Sequence, residues 1–414
     1  MNAQAQLKCP PETPQNDSIT GLAVLARMAA AGVDMMPLQQ ELINRAVADP
    51  LQVDILMDLS TVLHLTGNRD SALAIQAQAL ATKRLYQPPL AKPAVLRLLA
   101  LMAPGDFMAN TPIEFILEGS DIQLELLYLI PGEPLPQTLP EHDVLLVGVG
   151  ESAENLPLLK QLESYVKTLP KPVLNLPDRI SRLSRDGTWD MLKDAPGITI
   201  PMTARANRAT LEKLCQKSIE ITDILGDGAF PIILRPTGSH AGTGLEKIDS
   251  PAAIADYLVS RGESDFFISR FVDYSGADGL FGKYRIVLIK GRPYLCHLAI
   301  SSHWMVHYLN AGMAESAEKR AEEARIMATF DDDFARRHAV AFKAVHDLSG
   351  LDYIGIDCAE TRDGKLLVFE IDTAMIIHDM DPPALFPYKG PQMSKVFGAF
   401  RDMLLATANK PLAG

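Results

Sequence analysis

The residues best suited to chemistry lie in one stretch, DYIGIDCAETRDGKLLVFEIDTAM, residues 352–375. Asp357 stands on one predicted strand; Glu370 and Asp372 stand on the next. Two apart on a pleated strand, Glu370 and Asp372 share a face. Hairpin pairing across Arg362-Asp363-Gly364 brings Asp357 toward that face. Three carboxylates there repel one another unless a cation lies among them. Hard oxygen donors of this kind suit Mg²⁺ held together with nucleotide phosphates. A solvent-facing row of charges is the alternative, but the neighbours Ile354, Ile356, Leu367, Val368, Phe369 and Ile371 are almost continuously apolar.

A second segment, FPIILRPTGSHAGTG, covers residues 230–244. An apolar strand ends on Arg235, and a loop with Gly238, Ser239, Gly242, Thr243 and Gly244 follows. Glycines let backbone N–H groups approach phosphate oxygens, and arginine adds a charged fork. The Gly-Lys-Ser/Thr ending of a Walker loop is missing, and an ordinary hairpin loop has a similar composition. The third segment, SSHWMVHYLNAG, places His303 and His307 four apart, with Trp304 and Tyr308 beside them. Two such histidines on a helix could bind zinc, but no third ligand has suitable spacing. They could equally take a proton from an attacking amine, or be hydrogen-bonded structural residues.

These segments must be carried by a larger frame. A chain of 414 residues exceeds one hydrophobic core, so about two to four units are expected. Residues 1–16 are polar and read as a disordered N-terminus without an apolar signal region. Residues 17–88 read as helix: Leu56, Leu59, Leu63 and Leu65 recur near the 3.6 period, Gly67-Asn68 breaks it, and Ala72, Ile75, Ala79 and Leu80 resume it. The spacing resembles one tetratricopeptide repeat, which cannot bury its own apolar face and must dock on something. From residue 94 to about 180, short apolar runs alternate with an amphipathic stretch at 153–168, predicting a small α/β domain. Beyond it the pattern becomes α+β. Ser250-Pro251 opens a predicted helix to Arg261, and further helices are predicted over 315–329 and 332–348.

The net charge of −12 at pH 7 provides no basic stripe for a nucleic-acid backbone. Four scattered cysteines fit a reduced, cytoplasmic setting, and no apolar run is long enough to span a membrane.

Taken in order, about 120 residues apart, the Arg235 loop and the Asp357 hairpin resemble the ATP-grasp superfamily, which includes glutathione synthetase, D-alanine–D-alanine ligase and the ribosomal-protein glutamate ligases. The resemblance covers roughly residues 94–405. It implies a pre-ATP-grasp α/β domain (94–180), a central α+β subdomain (181–274) and a C-terminal α+β subdomain (275–408), behind the helical region 17–88. It implies ATP and Mg²⁺, or Mn²⁺, as cofactors, and a ligase that joins a carboxylate to an amine or thiol through an acyl-phosphate. On that likeness Arg235 holds the α-phosphate side of ATP, and Ser239, Gly242, Thr243 and Gly244 belong to the loop over the β- and γ-phosphates. Arg270 and Val272 belong to the hinge that clasps adenine. Arg285 lies near the transferring phosphate, and Asp357, Glu370 and Asp372 bind the metal. His303 and His307 fall where relatives approach substrate.

The pattern is departed from at Gly187, where a lysine is usual, at Lys283, where an acid is usual, and at Asp372, where asparagine is usual. Ala374-Met375-Ile376, followed by His378-Asp379, replaces the usual Pro-Gly. Two rival readings remain: a phosphotransferase using His303 or His307, and a nucleotide-sensing scaffold whose helical region binds a protein partner. Small-molecule or peptide substrates and a homodimer are in keeping with the family.

Overall fold

A computed structural model describes residues 18–239 and 242–409. The stretch 1–16, with Cys9, lies outside them. Four helices come first: α1 (Leu22–Ala30), α2 (Met36–Ala48), α3 (Val53–Leu65) and α4 (Arg69–Thr82). Their apolar stripes meet in one cluster containing Leu25, Leu42, Leu59, Val62 and Ala72. Gly67, at φ 80°, allows the reversal between α3 and α4.

The next segment builds a five-stranded sheet from β1 (Leu85–Tyr86), β2 (Leu96–Met102), β3 (Ile122–Tyr128), β4 (Val144–Val147) and β5 (Val173–Leu174). The order is β1-β3-β2-β4-β5. All run parallel except β1, which pairs antiparallel with β3. β4 is buried along its whole length, as a parallel strand covered on both faces requires. α5 (Ile113–Leu117) and α6 (Leu156–Tyr165) connect these strands. β1 falls inside the stretch read as helix; its two residues instead extend the sheet.

Two short helices, α7 (Pro177–Ile180) and α8 (Arg185–Leu192), lead to β6 (Ile198–Thr199). A four-stranded antiparallel lobe follows, made by β7 (Thr203–Asn207), β8 (Ile232–Pro236), β9 (Glu246–Ile248) and β10 (Asp265–Arg270), in the order β7-β10-β8-β9. It is packed with α9 (Arg208–Cys215) and α10 (Ala253–Val259). The expected Ser250 cap is not made. Ser250 accepts a turn bond from the Ala253 N–H through its backbone oxygen, and α10 starts only after Ala252.

The third sheet holds β11 (Phe281–Ile289), β12 (Arg292–Ser301), β13 (Tyr353–Glu360) and β14 (Leu366–Asp372). Its order is β12-β11-β13-β14-β6, with β6 parallel to β14. The helices are α11 (Ala317–Thr329), α12 (Phe334–Arg337), α13 (Ala339–Ser349) and α14 (Lys389–Ala408). The single helix expected over 332–348 is broken at His338, whose buried ring lies 2.9 Å from a Glu360 oxygen. α14 packs on the third sheet, with Phe400 edge-on to Tyr353 at 5.3 Å. Among the described residues, no helix is long and apolar enough to cross a membrane.

Candidate active site

A cavity of about 540 Å³ opens between the four-stranded lobe and the third sheet. β8 delivers Arg235 to it, β11 delivers Lys283 and Arg285, and the β13–β14 hairpin delivers Asp357 and Glu370. Leu245, Phe267, Phe271, Val272 and Leu367 contribute apolar wall.

Arg235 is only 7% exposed. Its Nε and Nη2 donate to the Ser239 hydroxyl at 3.2 Å, and Nη2 also donates to the Ser239 carbonyl oxygen. Among the described residues it makes no ion pair. Burial, with the nearby Arg185 guanidinium, pushes its pKa down to about 10. The Glu370 carboxylate offsets only part of this, and a buried cation without a direct ion pair is costly, so an entering anion relieves that cost. Gly238, Gly242 and Gly244 all have positive φ. At Gly244 a Cβ would meet Pro236 Cδ at 2.7 Å, so the loop needs glycine there. Gly242 lines the cavity, whereas Thr243 is exposed and outside the lining.

Asp357 and Glu370 face each other in register, so their side chains share a face. Asp357 is 1% exposed. Arg285 grips it through Nε at 2.8 Å and Nη2 at 2.9 Å, and Lys283 Nζ approaches Oδ2 at 2.6 Å. Burial pushes the Asp357 carboxyl up, but these two cations outweigh it and hold it well below the usual range. Glu370 is bound by Arg185 of α8; burial and Asp357 push its pKa up, but Arg185, Lys283 and Arg235 together outweigh them and lower it. Asp372 differs. It accepts the Ala374 N–H at 2.9 Å, is absent from the cavity lining, and is pushed up to about 7 by burial and by its neighbours Glu370 and Glu151. The repulsion expected among the three carboxylates is thus relieved by the chain's own cations, and among the described residues no three His, Cys, Asp or Glu side chains group to hold a metal ion. The facing pair Asp357 and Glu370, with hard oxygen donors on the cavity, has the chemistry for a divalent cation; Asp372 does not join them.

The 301–312 segment is not a regular helix; it is irregular up to a short 3-10 turn at Tyr308–Asn310. The four-residue spacing therefore brings no histidine pair together. His303 is exposed, accepts the Met305 N–H and lies outside the cavity. His307 lines it. Two further histidines, which spacing alone did not single out as site residues, join His307: His297 of β12 and His378. Burial lowers the pKa of all three, with Arg285 adding to the effect each time. The lowering favours the neutral imidazole at each. Arg270 and Val272 line the opposite, apolar side with Phe271, over which Lys247 Nζ sits 4.3 Å from the ring centre. Lys283 and His378 carried a signal only as departures from the family pattern, Arg185 only as a cation two residues before the departure at Gly187, and His297 sits in an apolar strand that gives none.

No protein-family model matches this sequence, and no curated protein matches it. The structure is similar to a RimK-domain ATP-grasp protein from Sphaerobacter thermophilus, with 16% identity, 74% of this chain and 99% of that chain covered, and a TM-score of 0.40. It is also similar to a D-alanine–D-alanine ligase from Bacillus anthracis solved with ATP (14%, 77% and 99%, TM-score 0.44). A third likeness is to the VanG D-Ala:D-Ser ligase from Enterococcus faecalis (13%, 76% and 100%, TM-score 0.45).

Proposed function

We propose that the chain is an ATP-dependent ligase of the ATP-grasp type that joins a carboxylate to an amine. The observation that carries this reading is Arg235: a buried guanidinium on a cavity wall, beside Arg185, without an ion-pair partner among the described residues. A triphosphate supplies the direct ion pair that Arg235 lacks, and the apolar wall at Phe271 and Val272 accepts a flat base.

In this reading a substrate carboxylate oxygen attacks the γ-phosphorus, and ADP leaves. The amine nitrogen then attacks the acyl carbon, the C–O bond to phosphate breaks, and the ammonium proton passes to a neutral imidazole. Arg235 and Arg185 hold the phosphates, and Arg285 stabilises the transferring group. His307, His297 or His378 takes the proton. Asp357 and Glu370 would hold Mg²⁺ or Mn²⁺, which, when bound, offsets charge on the β- and γ-phosphates. The Gly242–Gly244 loop would cover the phosphates and exclude water.

The experiment is nucleotide binding by calorimetry, followed by ADP release against pooled amino acids, peptides and carboxylic acids. Binding together with acceptor-dependent ADP release supports the reading. Failure to bind ATP ends it.

A further inference from the structure

The helical region has no part in the chemistry above, yet α1 reaches the cavity wall. Its first turn is pinned from two sides. The N–H groups of Thr20 and Gly21 donate to Asp58 of α3 at 2.8 and 3.2 Å, and the Leu22 N–H donates to Glu114 of α5 at 2.7 Å. The fit is close: a Cβ at Gly21, φ 90°, would lie 2.6 Å from a Glu114 carboxylate oxygen. So placed, α1 aims Arg27 between two carboxylates. Its guanidinium binds Glu118 and donates through Nη2 to Asp379 Oδ1 at 2.7 Å. Ala23, Ala26 and Phe115 form a buried cluster against which Ile376 and Met380 pack. The Phe115 ring stands edge-on to His378, 6.4 Å between centres.

The segment 375–381 has no helix or strand of its own. Ile376, Ile377, His378 and Asp381 nonetheless line the cavity, and the Ile376 carbonyl accepts from Arg285, at 3.4 Å. A wall without a backbone ladder must be fixed by side chains. Besides Arg285, two cations do so: buried Lys389 of α14 holds Asp381 at 3.1 Å, and Arg27 of α1 holds Asp379.

We propose that Arg27 is a positioning residue of the cavity, fixing through Asp379 the wall that presents His378 and Asp381. The helical region is then a working part of the site. That this wall receives the amine rests on the ligase reading; the positioning does not.

The test uses the full chain with Arg27→Ala, Arg27→Lys, Asp379→Asn and the reciprocal pair Arg27→Asp with Asp379→Arg. Hydrogen exchange at amides 375–381 is expected to speed up about three- to tenfold in Arg27→Ala and Asp379→Asn. Amides 353–360 should be unchanged, with Arg27→Lys and the reciprocal pair each partly restored, the pair only partly because Arg27→Asp also gives up the Glu118 bond. ATP affinity should stay within about twofold, while half-saturation by the pooled acceptors rises severalfold. Unchanged exchange at 375–381, or an equal rise across the whole chain, overturns the proposal. If the parent protein releases no ADP with any acceptor, the ligase reading fails, and the exchange measurement still decides the positioning role.

Discussion

Lys283 Nζ lies 2.6 Å from Asp357 Oδ2, on the same carboxylate that Arg285 grips through both oxygens. The chain thus brings its own cation to one of the two carboxylates suited to a metal. An ammonium and a divalent ion sharing one oxygen compete. Lys283→Met should therefore tighten Mn²⁺ binding by about tenfold, while Arg285 keeps Asp357 paired. Equal Mn²⁺ affinity in both proteins, measured by titration calorimetry, would show that Lys283 and the metal do not share Asp357.

Arg235 should separate stability from binding. Replacing a buried cation that lacks a direct ion pair with an apolar side chain of similar length removes a desolvation cost that outweighs its attraction to Glu370. Arg235→Met is expected to raise the thermal midpoint without nucleotide by about 1–3 °C. It should also weaken ATP binding about 10- to 100-fold, the worth of lost charge-assisted hydrogen bonds. A lower midpoint with unchanged ATP affinity would make Arg235 a structural residue.

The histidines are expected to divide. His303→Ala should leave the acyl-transfer rate unchanged, because the ring is exposed outside the cavity. Loss of the imidazole that accepts the proton, among His297, His307 and His378, should lower that rate by about 10²–10⁴ with ATP affinity intact. Because burial and Arg285 lower these pKa values, the acid limb of the rate should lie below the ordinary histidine value of about 6.5. A ³²P label that persists on the protein and vanishes in one mutant would establish a phosphohistidine instead.

Glu114 sets a pH dependence on the helical region. Burial, with Asp58 nearby, pushes its pKa up to about 7 against the opposing Leu22 N–H bond. The folded state therefore holds a proton that the unfolded chain releases near pH 4.3, so this group's contribution is full below that value and lost as pH rises through about 7. Urea midpoints at pH 5 and pH 8 should differ less in Glu114→Gln than in the parent. An equal difference in both proteins would place the titration elsewhere.

What was legible in the sequence was local. The strand Tyr353–Glu360 and the Asp-Gly turn are written in neighbouring residues, and Gly364 has the positive φ that such a turn requires. What was not legible was which cation meets which carboxylate. Arg285 comes to Asp357 from 72 residues away, and Arg185 to Glu370 from 185. The histidine spacing misled because a four-residue interval aligns side chains only on a helix, and none forms there. Gly187 reads as a lost lysine, but a Cβ at that position would lie 2.5 Å from the Arg182 carbonyl oxygen. Here the backbone path, not a choice among side chains, excludes the lysine.

The strand β6 has a further consequence. It leaves the chain's third sheet at Thr199, and the chain returns to that sheet at Phe281. Everything between is a loop excursion that happens to fold, anchored at both ends on one platform. Arg235 and the glycine loop ride on this excursion, whereas Asp357, Glu370 and Arg285 belong to the platform. Two short stretches of chain, 200–202 and 271–280, join the two as a double tether, and Ile200, Pro201, Phe271, Val272 and Tyr274 within them line the cavity. Altering the length of 275–280 would retune the gap between the Arg235-bearing wall and the carboxylate-bearing wall while leaving Arg235, Asp357 and Glu370 in place.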